Sequence, residues 1–146
     1  MEIYQSTSKD LDEVTQLFNQ YREYYHQPGD LKGAKAFINE RLERMDSIIL
    51  VAVKQNKPLG FTQLYPSFSS ISMSRTWILN DLYVIPEARR EGVGQNLINA
   101  AKDVCTETNA KSLSLQTAPD NERARKLYEK NGFILDNEYD PYILYF

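Results

Sequence analysis

The chain has almost no cysteine or histidine: one of each, Cys105 and His26, among 146 residues. One thiol excludes an intrachain disulfide, and one thiol with one imidazole makes no structural zinc set, so no metal is expected. Positive charge is not in excess either. Lys and Arg number 17 against 20 Asp and Glu, for a net charge of -3 and a pI near 5.2. That balance argues against a protein dedicated to nucleic acid. No apolar run approaches the roughly 18 residues that span a bilayer. No basic segment leading into an apolar run suggests a secretory signal. The expectation is a cytoplasmic protein with neither nucleic acid nor membrane as partner.

Hydrophobic residues make up 42% and charged residues 25%, ordinary globular values. With no repeat, linker or low-complexity stretch, the length implies one domain over residues 1–146. Met1–Gln5 alternates like a strand. Thr7 or Ser8 caps a helix with Leu11, Val14, Leu17, Phe18 and Tyr21 at helical spacing. Pro28-Gly29 breaks the chain, and Asp30 caps a second helix to about Arg44. Residues 47–53 read as a buried strand, 60–65 as its hairpin partner, 66–70 as a bulge or loop, and 75–85 as the next strand. A helix from Val93 to Thr108, a strand over 111–117 and a helix over 121–130 follow. Residues 133–135 and 142–146 read as final strands. This order is mixed α/β, an antiparallel meander followed by a crossover helix.

Between the strand at 75–85 and the helix at Val93 stands Arg89-Arg90-Glu91-Gly92-Val93-Gly94-Gln95. A glycine-rich turn into a helix leaves main-chain N–H groups unpaired at the positive end of the helix dipole, a site suited to phosphate. A dinucleotide fingerprint needs a small residue where Leu97 stands, and a Walker A loop needs Lys-Ser/Thr where Gln95-Asn96 stand. A plain tight turn and a different phosphate loop both stay open.

The pattern Arg89-x-x-Gly92-x-Gly94 resembles the pyrophosphate loop of the GNAT superfamily of acetyl-CoA-dependent N-acetyltransferases. So do Asp81-Leu82-Tyr83-Val84-x-Pro86 before it and Asn121-x-x-Ala124-x-x-Leu127-Tyr128-x-x-x-Gly132-Phe133 after it. The segment from Phe61 to Val84 is similar to the branch that includes yeast histone and D-amino-acid acetyltransferases. The resemblance implies a GNAT-like fold: a mostly antiparallel sheet of six to seven strands, flanked by four helices, with a V-shaped splay between strands 4 and 5. It implies acetyl-CoA as co-substrate, held by the main chain of Leu82, Tyr83 and Val84 and by Arg89, Arg90, Glu91, Gly92, Val93, Gly94 and Gln95. Asn121 is implied at the cofactor too, and is equally an N-cap. A homodimer is implied by the aromatic terminal strand.

The implied reaction is direct transfer of acetyl to a primary amine, on a small molecule or a lysine. Tyr128 is the implied general acid for the departing thiolate. An ordinary phenol has a pKa of about 10 and a thiol about 8.5, so that transfer is uphill by about 2 kcal/mol. Many relatives carry a glutamate base where this chain has Asn80, and alternation puts the neighbouring Asp81 on the other face. A water-bridged role for Asp81 is one reading of the base; a non-catalytic acyl-CoA-binding module is the alternative for the whole chain. The acceptor site is expected from the first helices and the loop after the third strand: Tyr21, Tyr25 and Tyr65, with Asp81. Cys105 falls on the apolar side of its helix, which suits packing and not catalysis.

Overall fold

A computed structural model describes residues 1–146. The chain forms two compact units, Met1–Leu115 and Gln116–Phe146. The first contains, in order, β1 (Glu2–Gln5), α1 (Leu11–Tyr24), α2 (Leu31–Arg44), β2 (Ile48–Lys54), β3 (Lys57–Ser69), β4 (Ser74–Val84), α3 (Val93–Glu107) and β5 (Leu113–Ser114). The second contains α4 (Glu122–Lys130). The class is the mixed α/β arrangement with four helices expected above. No helix is long and apolar enough to cross a membrane.

The sheet runs β1-β2-β3-β4-β5, antiparallel until the last pair, which is parallel. Four consecutive β3 residues, Phe61 to Leu64, are each fully buried, so both faces of the sheet are covered. α1 covers one face: Phe18 and Tyr21 set their rings edge-on to Phe61 at 6.4 and 5.7 Å. α3 covers the other with Val93, Leu97, Ile98 and Ala101, all buried. Trp77 on β4 reaches that second layer, its indole N–H donating to the Thr108 hydroxyl at 2.9 Å. α2 lies on α1, where Phe37 stacks on Phe18 at 5.4 Å.

Two features of β4 shape everything near the site. Gln63 pairs with Asp81 but Leu64 pairs with Leu79, so Asn80 is one residue too many, a β-bulge. Directly paired antiparallel residues share a face. Leu79 therefore joins Leu64 on the α3 side, while Asp81 and Tyr83 join Gln63 and Phe61 on the α1 side. The second feature is the short partnership with β5, which pairs only Trp77 with Leu113 and Ile78 with Ser114. From Leu79 to Val84, β4 has no strand beside it on that edge. This is the expected splay.

Three expectations need correction. The sheet has five strands, not six or seven, because residues 133–135 and 142–146 form no ladder. An apolar run becomes a strand only where a neighbour takes its N–H and C=O groups. Here the polar stretch between the two runs bends on itself, with the Glu138 N–H donating to the Asp136 carboxylate, and Tyr142 to Phe146 stay exposed. The expected strand over 111–117 shrinks to Leu113–Ser114, the part that β4 pairs. In the other direction, β3 continues to Ser69 through the segment read as a bulge or loop.

Gly60 is required by close approach. A Cβ there would sit 2.5 Å from the Tyr83 carbonyl oxygen and 3.2 Å from the Val84 Cα, both main chain. Gly60→Ala is expected to destabilise the fold by about 1–3 kcal/mol, the usual cost of overpacking. Urea denaturation checks this, and an unchanged midpoint would show that β3 and β4 separate without strain.

Candidate functional site

β4 ends at Val84, and a short 3-10 turn, Pro86–Ala88, follows with proline at its first position. Proline lacks the N–H that a further ladder bond would need. The chain then turns through two left-handed residues, Arg90 at φ 70° and Gly92 at φ 80°, into α3. Gly92 is the N-cap. A Cβ on it would meet only the Asn96 side chain at 3.9 Å, so the left-handed φ and not crowding calls for glycine. The first helical bond here runs from the Asn96 N–H to the Gly92 carbonyl at 3.0 Å. The N–H groups of Val93 and Gly94 precede it, at the positive end of the α3 dipole.

The expected cofactor residues of the first unit fall on this turn and the strand end before it. Leu82 and Val84 are half-buried and Tyr83 is buried at the end of β4. Arg90, Glu91 and Gly92 are exposed, while Val93 buries its side chain and offers only main chain outward. Gly94 and Gln95 lie in the first turn, where the Gln95 amide donates to Asn99 at 3.0 Å. Arg89 turns inward: its Nε donates to the Val84 carbonyl at 3.1 Å, and its guanidinium lies 5.3 Å from the Tyr24 ring and 5.9 Å from that of Tyr83.

The second unit carries the other two expected residues. The Asn121 carboxamide oxygen accepts from the Ala124 N–H at 3.2 Å, which makes it the N-cap of α4. Tyr128 lies on α4 with its ring edge-on to Phe133 at 5.7 Å, and its carbonyl accepts from the Phe133 N–H at 3.1 Å.

The four expected acceptor residues, all in the first unit, gather around one buried carboxylate. Asp81 is 4% exposed. The Gln63 amide donates to it at 2.6 Å, the Asn80 amide at 3.1 Å, and the Tyr21 hydroxyl donates as well. Tyr25 and Tyr65 lie near enough to feel its charge. No cation pairs with it. Burial pushes the Asp81 carboxyl above its ordinary value, against the pull of the Gln63, Tyr21 and Asn80 hydrogen bonds. Tyr65 is pushed up to about 12, chiefly by burial and then by Asp81, and so stays a hydroxyl donor.

Sequence reasoning missed Gln63 and Ser47. Gln63 is fully buried, and its carbonyl oxygen accepts from the Ser47 hydroxyl at 2.8 Å, which orients the amide toward Asp81. The signal was present: a glutamine between Phe61 and Tyr65 on one face of an apolar strand is a polar group that needs a partner. Arg22, near this wall, donates to the Pro28 carbonyl at 3.1 Å and braces the loop after α1. Burial raises the Cys105 thiol, the opposite of a reactive thiolate.

Residues 11–133 match the acetyltransferase (GNAT) family. The chain belongs to this family. It is 50% identical over 144 residues to the uncharacterized N-acetyltransferase YhfO of Bacillus subtilis strain 168, covering 99% of this chain and 97% of the relative. A probable acetyltransferase of Haemophilus influenzae is 28% identical over 137 residues, 93% of this chain and 92% of that one. Among solved structures, that of a probable acetyltransferase superposes with a TM-score of 0.96 at 43% identity, covering 100% of this chain and 98% of the other. The GNAT fold accounts for the parting of β4 and β5, and GNAT enzymes use acetyl-CoA.

The buried carboxylate sets a pH dependence. Because the folded value of Asp81 is raised, its protonated form favours the fold. That contribution is complete below the ordinary carboxylate value, about 4, and is lost as pH rises through the higher folded value. Asp81→Asn loses nothing over that window. Its Tm, relative to the parent, is expected to rise from about pH 4 to about pH 8. Thermal melts across that range check it, and a Tm difference independent of pH would refute it.

Proposed function

We propose that this protein is an N-acetyltransferase that moves an acetyl group from acetyl-CoA directly to a primary amine, on a small molecule or a lysine side chain. The observation that carries this reading is the edge of β4 from Leu79 to Val84, free of a strand and leading straight into the left-handed turn at the start of α3. A pantetheine arm carries amides that suit an open strand edge, and a pyrophosphate suits the N–H groups at Val93 and Gly94. Main-chain donors along Leu82, Tyr83 and Val84 stabilise the oxygen of the thioester as the amine attacks. Arg90 adds positive charge to the turn. Arg89, engaged with Val84 and two tyrosines, braces the strand end. Asn121 caps α4 and presents its remaining amide to the cofactor.

The chemistry balances simply. The acceptor ammonium gives up one proton, its nitrogen bonds to the acetyl carbon, the carbon–sulfur bond breaks, and the nitrogen's second proton is released. Tyr128 donates its hydroxyl proton to the departing thiolate and is reprotonated from solvent. The raised Cys105 thiol favours direct transfer over an acetyl-cysteine intermediate. Asn80 stands where many relatives carry a glutamate, which keeps a non-catalytic acyl-CoA-binding module as the competing reading. The exposed apolar segment from Tyr142 to Phe146 supports a homodimer. The branch resemblance and a cytoplasmic setting belong to the same proposal.

Thiol release from acetyl-CoA, measured over amino acids, polyamines, aminoglycosides, simple monoamines and lysine peptides, separates the two. Release with at least one acceptor class is expected. Tight CoA binding with release from none would establish the binding module. Tyr128→Phe is expected to lower kcat about ten- to thousandfold with little change in CoA affinity, on the scale of general-acid contributions. An unchanged kcat would remove Tyr128 from the mechanism.

A further inference from the structure

Asp81 is a carboxylate buried beside aromatic rings with no cation to pair with it. Elsewhere on the wall formed by α1, α2 and β3, charges are already matched. Arg41 holds Asp46 at 2.7 Å and Glu40 at 3.4 Å, and Arg44 holds Glu40 at 3.1 Å. Arg22 is committed to the Pro28 carbonyl and Arg89 to that of Val84. The wall therefore has one negative charge to spare and no uncommitted guanidinium for a carboxylate.

Its shape agrees with that count. Tyr65 borders Asp81 on one side and, on the other, a concavity of about 280 Å³ lined by Phe37, Arg41, Asp46, Tyr65 and Pro66. Tyr21 and Tyr25 meet edge to face at 5.1 Å on the α1 side of the carboxylate. Aromatic rings around one anion favour a cation with an apolar body. The space suits one ring or a short branched chain, and the fully buried Gln63, oriented by Ser47, keeps the carboxylate in place.

We propose that Asp81 anchors the ammonium group of the acceptor between Tyr21, Tyr25 and Tyr65, and that the acceptor is a compact apolar monoamine without a carboxylate. This rests on the acetyltransferase reading above and narrows it. An amino acid would bring a carboxylate that no free cation receives. A polyamine or aminoglycoside would bring extra ammonium groups to carboxylates already paired.

The test compares thiol release with phenylethylamine, phenylalanine and spermidine under identical conditions. Phenylalanine has the same ring and amine plus a carboxylate; spermidine has several amines and no ring. kcat/KM for phenylethylamine is expected to exceed both by at least about tenfold, as unmatched charges discriminate against the other two. Asp81→Asn is expected to raise KM for phenylethylamine at least about tenfold, the loss of a buried charge partner, while CoA affinity is unchanged. Phenylalanine or spermidine matching phenylethylamine would overturn the proposal and leave the acetyltransferase reading intact. An unchanged KM in Asp81→Asn would do the same. Release from no amine at all would overturn the acetyltransferase reading itself. The comparison on the parent protein needs no variant to fold and decides between the acceptor classes alone.

Discussion

The extra residue at Asn80 is the constraint on which the arrangement around β4 depends. Without it, Leu79, Asp81 and Tyr83 would share a face by simple alternation. With it, Leu79 packs toward α3 beside Leu64, and Asp81 turns toward α1 beside Gln63. One strand thus supplies apolar core to one layer and a carboxylate to the other. A bulge also bends its strand and sharpens its twist. Here it follows directly on the last residue that β5 pairs, Ile78. The bend and the parting of the two strands belong to one local event.

That event explains why an energetically poor group is tolerated in the interior. A buried carboxylate without a cation costs stability unless hydrogen bonds replace its water. Three donors do so here, from Gln63, Asn80 and Tyr21, and still leave the carboxyl raised above its ordinary value. The donors come from β3, from the bulge and from α1, so no single element could supply the set. A purely structural polar contact would be better served by an uncharged amide at this position. Retaining a charge where packing argues against it is what a binding site for a cation requires.

The two halves of the first unit's site were legible in the sequence to different degrees, for a physical reason. The turn at Arg90–Gly94 is built from main-chain geometry, and main-chain geometry is written in local glycine and proline positions. Gly92 and Pro86 could be read in place, and the left-handed φ at Gly92 follows from its neighbours. Tyr21, Tyr25, Tyr65 and Asp81 could be named one by one, but their meeting depends on register between β3 and β4 and on how α1 lies across the sheet. Gln63 and Ser47 were missed because their importance exists only through Asp81, which lies 18 residues along the chain from Gln63. The terminal strands failed in the opposite way. Tyr142 to Phe146 have strand-like composition, but a strand is defined by its neighbour, and composition names no neighbour.

The same division bears on how a site of this kind diverges. Donors on the main chain survive most substitutions, because a side-chain change leaves the N–H of Val93 or Gly94 where it was. A turn at Gly92 constrains one residue and little else. An acceptor wall made of side chains from α1, α2 and β3 changes with each of them, and nothing in the sheet resists the change. Relatives can therefore share the cofactor turn at modest identity while differing in the wall. For this chain, the substrate is to be sought in Asp81 and its tyrosines, since those groups alone depend on the particular side chains present. The charge count on that wall then carries the discriminating information: one anion without a partner, and every nearby guanidinium already engaged.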